Sequence, residues 1–255
     1  MLKNISKIII VFIVGIVGGI FSDQILWPYF IERPLFLEYR LEQNPVYITE
    51  TKEITIQENI ALENAIEKTE KVVVGIQTKT SKGKILRGSG LIVTSDGLIL
   101  ALAELFPKNS SITIYIEGVP YHSSLKNGDV KILKKDLDSN FCLIKVEANN
   151  LNTAGFFDFD KIKLGQRVFS IGNMFGTKSI KETAPNLAVN QGIVKYFDDD
   201  FIYTDIITQE TATGNPAIGS PLFSIDAQVI GINFIDKQGN LITIPSSVLR
   251  DFIGF

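Results

Sequence analysis

The spacing of apolar and polar positions divides the chain into a hydrophobic N-terminus and a long region of short apolar segments. From Val72 onward, segments of strand length alternate with turn dipeptides such as Asp96-Gly97 and Gly239-Asn240. Ten or more segments follow one another with no helical repeat between them. Residues 72–255 therefore predict an all-β barrel or sandwich of about 180 residues.

The N-terminus carries the pattern of a membrane anchor. An uninterrupted apolar run covers residues 8–21 and follows two lysines. At about 1.5 Å per residue the run covers roughly two thirds of a ~30 Å hydrocarbon core, and it reaches a full span if Asp23 and Gln24 lie among the headgroups. A cleaved signal peptide is the alternative, but no A-x-A-like cleavage site follows. We expect residues 1–27 to be an uncleaved single-pass anchor in the cytoplasmic membrane, with the lysines inside and the β-domain outside.

Residues 28–71 predict a juxtamembrane stalk that ends in a short helix. Residues 46–57, VYITETKEITIQ, carry β-branched side chains near a period of two and predict a strand. Residues 58–71, ENIALENAIEKTEK, repeat apolar side chains at helical spacing and predict an amphipathic helix. The apolar face of that helix consists of Ile60, Leu62, Ala65 and Ile66.

The composition narrows the chemistry that the chain can perform. The formal net charge is -3, so no basic field attracts nucleic acid, and we expect no nucleic-acid partner. The single cysteine, Cys142, excludes an internal disulfide, and the single histidine, His122, excludes a metal site with several histidine ligands. No metal or other cofactor is expected. Catalysis by a Ser–His or Cys–His pair would have to use His122.

Five segments, in chain order, resemble the trypsin-like protease domain of the HtrA/DegP family. The resemblance covers roughly residues 72–248 and implies two packed six-stranded antiparallel β-barrels with a cleft between them. We expect residues 72–255 to contain no PDZ domain, although that domain is usual in the family. The five segments are RGSGLIVTSDGLILALAELF (87–106), DSNFCLIKV (138–146), LGQRVFSIGNMFG (164–176), TQETATGNPAIGSPLFSIDAQVIGIN (208–233) and LITIPSS (241–247).

The same resemblance implies that every member of the catalytic triad is replaced. The family's general-base histidine aligns with Glu104, its orienting aspartate with Asn140 and its nucleophilic serine with Ile218. One oxyanion donor of the family, the N–H two residues before the serine, falls on Pro216, which has no N–H. We therefore expect no catalytic residue at these four positions. Glu104 either hydrogen-bonds Asn140 across the former site or faces solvent.

Neighbouring side chains are poor substitutes for the missing nucleophile. Ser220 lies two residues beyond the nucleophile position, and Thr211 and Thr213 lie upstream. A shift of two residues in a tight turn moves a side chain by several ångströms, whereas attack geometry tolerates only about 1 Å. We expect Cys142 to be a buried, unreactive thiol and His122 to be a surface or half-buried strand residue.

Three functions are compatible with this pattern. The first is a membrane-anchored, catalytically inactive protease homologue that acts as a binding or scaffold module outside the cytoplasmic membrane. The second is an active HtrA-like serine endopeptidase with a non-standard site. The third is a structural partner that assembles with HtrA-like proteases. Protein or peptide partners are expected in the first and third cases, and fold alone does not decide between them and the enzyme.

Overall fold

The chain separates into two units, residues 1–58 and residues 59–255, and each is described by itself. The predicted strand 46–57 and the predicted stalk 28–57 lie outside the described residues. The computed structural model describes residues 2–26, 59–123, 129–176, 184–208 and 210–254.

The first unit contains the predicted apolar helix. Helix α1, Leu2–Phe21, continues into one π-helical turn, Ser22–Leu26. The window Ile5–Gln24 has a mean hydropathy of 2.4, so it is long and apolar enough to cross a membrane. A signal sequence has the same length and composition, and the orientation of the helix stays a prediction.

A second helix opens the globular unit. Helix α2 covers residues 59–69 and runs into a 3₁₀ turn, Glu70–Val72. The predicted amphipathic helix is confirmed, since Ala65 is buried against the core. Ile60 differs from the prediction because it is 49% exposed. It lies in the first helical turn, before the helix meets the core at Leu62.

The N-terminal half of the globular unit is an antiparallel sheet of seven strands in the order β5-β4-β1-β2-β3-β7-β6. The resemblance implied a six-stranded barrel here, and the sheet differs in having a seventh strand and no closing ladder between β5 and β6 among the described residues. Among the described residues, a backbone hydrogen bond from the N–H of Asp129, just before β6, to the His122 carbonyl oxygen of β5 connects the two strands at 3.1 Å. The strands are β1 Val73–Lys79, β2 Ile85–Ile92, β3 Leu98–Leu102, β4 Ser111–Ile116, β5 Val119–His122, β6 Val130–Asp136 and β7 Phe141–Val146.

The C-terminal half is a closed antiparallel barrel of six strands in the order β10-β13-β12-β11-β8-β9. This half confirms the all-β fold and the six-stranded barrel. Helix α3, Ser246–Ile253, follows the last strand and ends at Gly254, whose φ of 91° terminates the helix. The strands are β8 Arg167–Met174, β9 Asn186–Phe197, β10 Ile202–Thr204, β11 Pro221–Ser224, β12 Val229–Ile235 and β13 Leu241–Pro245.

One large hydrophobic core joins the sheet to the outer face of the barrel. Phe169 of β8 and Phe223 of β11 lie directly opposite each other, with ring centroids 5.4 Å apart, and both are buried in that core. At the other end, Phe252 of α3 packs on Phe141 of β7 with centroids also 5.4 Å apart. A smaller cluster fills the barrel itself. Phe169 and Phe223 contribute to this core from the barrel, and the contact between Phe141 and Phe252 joins one ring from each half.

Removing one of these rings is expected to destabilise the whole globular unit. Phe169→Ala leaves a cavity at the junction and is expected to lower the free energy of unfolding by about 3–5 kcal/mol. Leu137→Ala is the control, since Leu137 is 72% exposed and its loss is expected to cost less than about 0.5 kcal/mol. Urea unfolding of the full chain in detergent measures both, and equal effects would contradict the joint core.

Candidate functional site

The loop between β10 and β11 is built from consecutive short turns. Thr211 and Gly214 exchange two backbone hydrogen bonds, each 3.1 Å long. The Asn215 side chain then accepts the N–H of Ala217 at 3.0 Å, and the Asn215 carbonyl oxygen accepts the N–H of Ile218 at 3.2 Å. The loop therefore has a defined conformation in which its backbone donors near Ile218 are already bonded.

The loop is joined to the N-terminal sheet at the middle of β2. Ser89 donates its N–H to the Ile218 carbonyl oxygen at 2.8 Å. Gly219 follows with φ +72°, and a Cβ on Gly219 would lie 2.2 Å from the Ser89 carbonyl oxygen. Only glycine fits there, because the backbones of the loop and β2 touch. The glycine after Ile218 is therefore required by packing between the two halves.

Glu104 and Asn140 also meet, but through the backbone of Glu104. The Asn140 side chain accepts the N–H of Glu104 at 3.2 Å, and its carbonyl oxygen accepts the N–H of Ala103 at 2.8 Å. Asn140 has φ +55°, a conformation that asparagine tolerates better than most residues. The Glu104 side chain is exposed, although nearby protein removes part of its hydration and raises the pKa of its carboxyl group. Of the two alternatives from the sequence, the Glu104 side chain takes the solvent-facing one, and Asn140 bonds the Glu104 backbone instead of its carboxylate.

Gly88 lies where these segments converge. A Cβ on Gly88 would lie 2.7 Å from the Leu105 side chain and 2.9 Å from the Ile218 carbonyl oxygen. Leu105 belongs to the short 3₁₀ turn Ala103–Leu105, which also contains Glu104. The structure therefore brings the Glu104, Asn140 and Ile218 segments to one region, beside β2.

Pro216 packs tightly on the barrel. A Cβ on Gly172 of β8 would lie 2.0 Å from the Pro216 carbonyl oxygen, so the loop presses directly on the strand. Pro216 has no N–H to offer, and the next donor that could face the same space, Ile218 N–H, is bonded to Asn215. Neither position presents a free N–H.

Ser220 is part of a buried polar network. It is fully buried, its hydroxyl donates to the Ala217 carbonyl oxygen at 2.9 Å, and it accepts a hydrogen bond from the Asn233 side-chain amide at 3.0 Å. The Asn233 side-chain oxygen in turn accepts the hydroxyl of Thr243. Because each of these polar groups is satisfied internally, the network supports the loop and offers no exposed hydroxyl.

The remaining candidate side chains are also committed to structural contacts. Thr211 donates its hydroxyl to the Gly214 carbonyl oxygen, and Thr213 donates its own to Phe175. Cys142 is buried in β7, where burial raises the pKa of its thiol to about 11. His122 is half-buried on β5, and strands β4 and β1 lie between it and β2.

Sequence reasoning passed over Arg87, which lies at the same region. Its guanidinium stacks over the Phe175 ring, 5.4 Å from the centroid, and bonds Gln77 and the Thr213 carbonyl oxygen. The available signal was its place directly before the Gly-Ser-Gly of the first motif. Among the described residues, no group of three or more acidic, cysteine or histidine side chains could hold a metal ion.

A six-stranded antiparallel barrel packed against a second antiparallel sheet, with a turn-rich loop at their junction, is the arrangement of trypsin-like domains, although the second sheet here has seven strands and no closing ladder among the described residues. The chain belongs to the trypsin-like peptidase domain family, whose pattern its residues 88–232 match. This finding confirms the resemblance in the sequence at the level of the fold and family.

Curated relatives narrow the likeness to HtrA-type proteins. A "Probable periplasmic serine endoprotease DegP-like" of Pseudomonas fulva (strain 12-X) is 31% identical over 175 residues, which are 64% of this chain and 33% of the relative. A protein of the same description from Chlamydia muridarum is 30% identical over 167 residues, 64% of this chain and 31% of the relative. "Serine protease HTR4" of Bos taurus is 31% identical over 173 residues, 65% and 33% of the two chains. The chain thus spans about a third of the length of these relatives.

The close approach at Gly219 gives a test of the loop geometry. Gly219→Ala is expected to cost about 3 kcal/mol or more, because the methyl group overlaps the Ser89 carbonyl oxygen in a strained backbone conformation. The matched control is Gly239→Ala, which has φ +87° but open space around it, and which is expected to cost about 1 kcal/mol. Urea unfolding of the full chain compares them, and a Gly239 effect as large as the Gly219 effect would refute the contact.

Proposed function

We propose that this protein is a membrane-tethered pseudoprotease, a trypsin-like domain outside the cytoplasmic membrane that binds protein or peptide segments and does not cleave them. The observation that carries the proposal is the loop at Ile218. An isoleucine stands where the family resemblance puts the nucleophile, and the donors expected beside it are missing or already bonded.

The position of the nucleophile carries a side chain that cannot attack a carbonyl group. Serine attacks a carbonyl only when a neighbouring imidazole takes its proton and a carboxylate orients that imidazole. Isoleucine has neither a lone pair nor a proton to lose, and Glu104 and Asn140 stand at the positions of the other two groups. Loss of the nucleophile alone costs on the order of 10⁶ in turnover. These residues favour a domain without hydrolytic activity.

The loop also lacks free donors for the charge that develops on the substrate oxygen. Two backbone N–H groups stabilise that charge in trypsin-like enzymes. Here Pro216 lacks the first N–H, and the second, on Ile218, is bonded to the Asn215 carbonyl oxygen at 3.2 Å. The residual catalysis that survives loss of a nucleophile depends on these two N–H donors. Their loss therefore supports inactivity independently of the triad.

Three other residues that could replace the nucleophile or its base are poorly placed to do so. The Ser220 hydroxyl is fully buried and internally bonded. The Cys142 thiol is kept protonated at neutral pH by its raised pKa of about 11. His122, the one histidine of the chain, lies on a strand that two others separate from β2. These placements disfavour an alternative nucleophile–base pair.

The location outside the membrane is supported by the apolar N-terminal helix and by the periplasmic descriptions of the DegP-like relatives. The helix has the length and hydropathy of a membrane span, and the DegP-like relatives are described as periplasmic. We propose that the helix anchors the chain with its lysines in the cytoplasm. HtrA-like proteases are one candidate class of partner, because a domain of the same family can pack with them through related surfaces.

Absence of activity is the first test of this function. The full chain in lipid nanodiscs is expected to release no product from a broad fluorogenic peptide library and to take up no serine-directed fluorophosphonate probe. An active trypsin-like protease, treated identically, serves as the positive control. The relatives are named endoproteases, so the rival function is an active peptidase, and time-dependent cleavage or probe uptake would establish it.

Restoring the triad provides a second test, which distinguishes the effect of the missing nucleophile from the effect of the missing oxyanion donor. The triple variant Glu104→His, Asn140→Asp, Ile218→Ser is expected to gain only weak hydrolytic activity, because Pro216 still removes one N–H donor for the substrate oxygen. Adding Pro216→Gly to that variant is expected to raise kcat by about 10²–10³, the usual effect of one oxyanion donor. Initial rates on the best library peptide measure the difference. Full activity in the triple variant would show that Pro216 does not limit catalysis.

A further inference from the structure

A row of polar side chains crosses four neighbouring strands of the N-terminal sheet. Arg87 on β2 pairs with Gln77 on β1, Gln77 pairs with Thr113 on β4, and Thr113 pairs with His122 on β5. Directly paired residues of antiparallel strands point to the same face, so all four side chains lie on one face. Two contacts link them in pairs: Arg87 Nε donates to Gln77 Oε1 at 3.2 Å, and Thr113 Oγ1 lies 3.1 Å from His122 Nδ1.

Arg87 ends this row next to the loop that contains Ile218. The two residues after Arg87 are the glycine and serine that touch the Ile218 carbonyl group. The guanidinium also donates through Nη1 to the Thr213 carbonyl oxygen at 3.4 Å, and it lies over the Phe175 ring. Three contacts, from β1, the loop and the segment after β8, therefore fix its position before any ligand arrives.

Among the described residues, the Arg87 guanidinium has no partner of opposite charge. Within the described part of the chain, no aspartate or glutamate oxygen lies within 4.0 Å of Arg87. Two of its five N–H donors are used, by Gln77 and Thr213, and those that remain are on Nη1 and Nη2. A half-buried cation that is held in place but lacks an anion is prepared to bind one.

We propose that Arg87 is the recognition point of a carboxylate-binding site, and that its ligand is an acidic side chain or a C-terminal carboxylate of a protein segment. The planar guanidinium matches a carboxylate in two parallel hydrogen bonds. The site deepens the binding role given under the proposed function and rests on that role. It does not rest on the absence of hydrolysis.

A protein segment fits this surface better than a small free acid. Arg87 is only half-buried, and a single ion pair at such a site contributes little to affinity. A small acid would gain that one contact alone. A peptide adds backbone and side-chain contacts along the neighbouring loop and strands, so the carboxylate then fixes its register as well as its charge.

The experiment measures binding of three fluorescent octapeptide pools to the full chain in neutral nanodiscs by anisotropy. The pools differ only in the central residue and the C-terminus: central Glu with an amide end, central Gln with an amide end, and central Gln with a free carboxylate. We expect one acidic pool, or both, to bind on the order of 5-fold more tightly than the neutral pool. The preferred pool identifies which carboxylate the site takes.

Arg87→Gln is expected to remove the preference of the protein for the acidic pools over the neutral pool. Arg250→Gln is the matched control, because it removes the same charge from an exposed position on α3 and should preserve the preference. Arg87→Lys keeps the charge without the planar fork and should retain only part of the preference. Circular dichroism checks that Arg87→Gln is folded. If it is not, the comparison of the three pools on the wild type and on Arg87→Lys tests whether Arg87 produces the preference for acidic pools.

The outcomes separate this inference from the proposed function. Equal binding of all three pools by the wild type, or a preference that survives in Arg87→Gln, would overturn the carboxylate site. Mass spectrometry of the same samples monitors cleavage of the peptides. Cleavage of any pool would overturn the proposed inactivity, whereas the carboxylate site would still be judged by the binding preference alone.

Discussion

The contact between β2 and the loop at Ile218 holds the two halves of the globular unit in register. Ser89 is fully buried there, and its backbone N–H bonds the Ile218 carbonyl oxygen. Its hydroxyl accepts the backbone N–H of Asn173 on β8 at 2.8 Å, and its carbonyl oxygen touches Gly219. One residue of the sheet thus bonds a strand and a loop of the barrel. Because all three contacts use backbone atoms of the partner, they do not depend on which side chain occupies position 218.

This dependence on backbone explains how a catalytic loop can keep its form without its chemistry. In the proposed function, Ile218 replaces a nucleophile, yet its carbonyl group still accepts the Ser89 hydrogen bond and Gly219 still makes the close approach. The buried network through Ser220 and Asn233 holds the start of β11 in the same way. Loss of these contacts would cost folding stability, whereas loss of a reactive side chain costs only turnover.

The sequence allowed the strands to be predicted because each apolar segment is short and bounded by turn residues. It did not allow the sheet edges to be predicted, because the resemblance implied a closed six-stranded barrel, whereas no ladder joins the edge strands β5 and β6 among the described residues. The same limit applies to the site. The proximity of Glu104 and Asn140 followed from resemblance, but the left-handed backbone of Asn140 and its bond to the Glu104 N–H are tertiary features. Arg87 was overlooked because its position before Gly-Ser-Gly does not reveal the tertiary contacts with Gln77, Thr213 and Phe175 that hold its guanidinium in place.

A domain that binds without cleaving differs from its enzymatic relatives in what controls occupancy. An endoprotease clears its cleft by chemistry, whereas under the proposed function release depends on dissociation alone, so affinity must stay moderate if the ligand is to exchange. A half-buried arginine beside an open loop suits that requirement, since its ion pair contributes specificity more than strength. The proposed attachment to a membrane would compensate for moderate affinity, because two partners on one surface meet at a high effective concentration. The pre-positioned guanidinium on the double-sheet domain is therefore consistent with the reversible binding module proposed above.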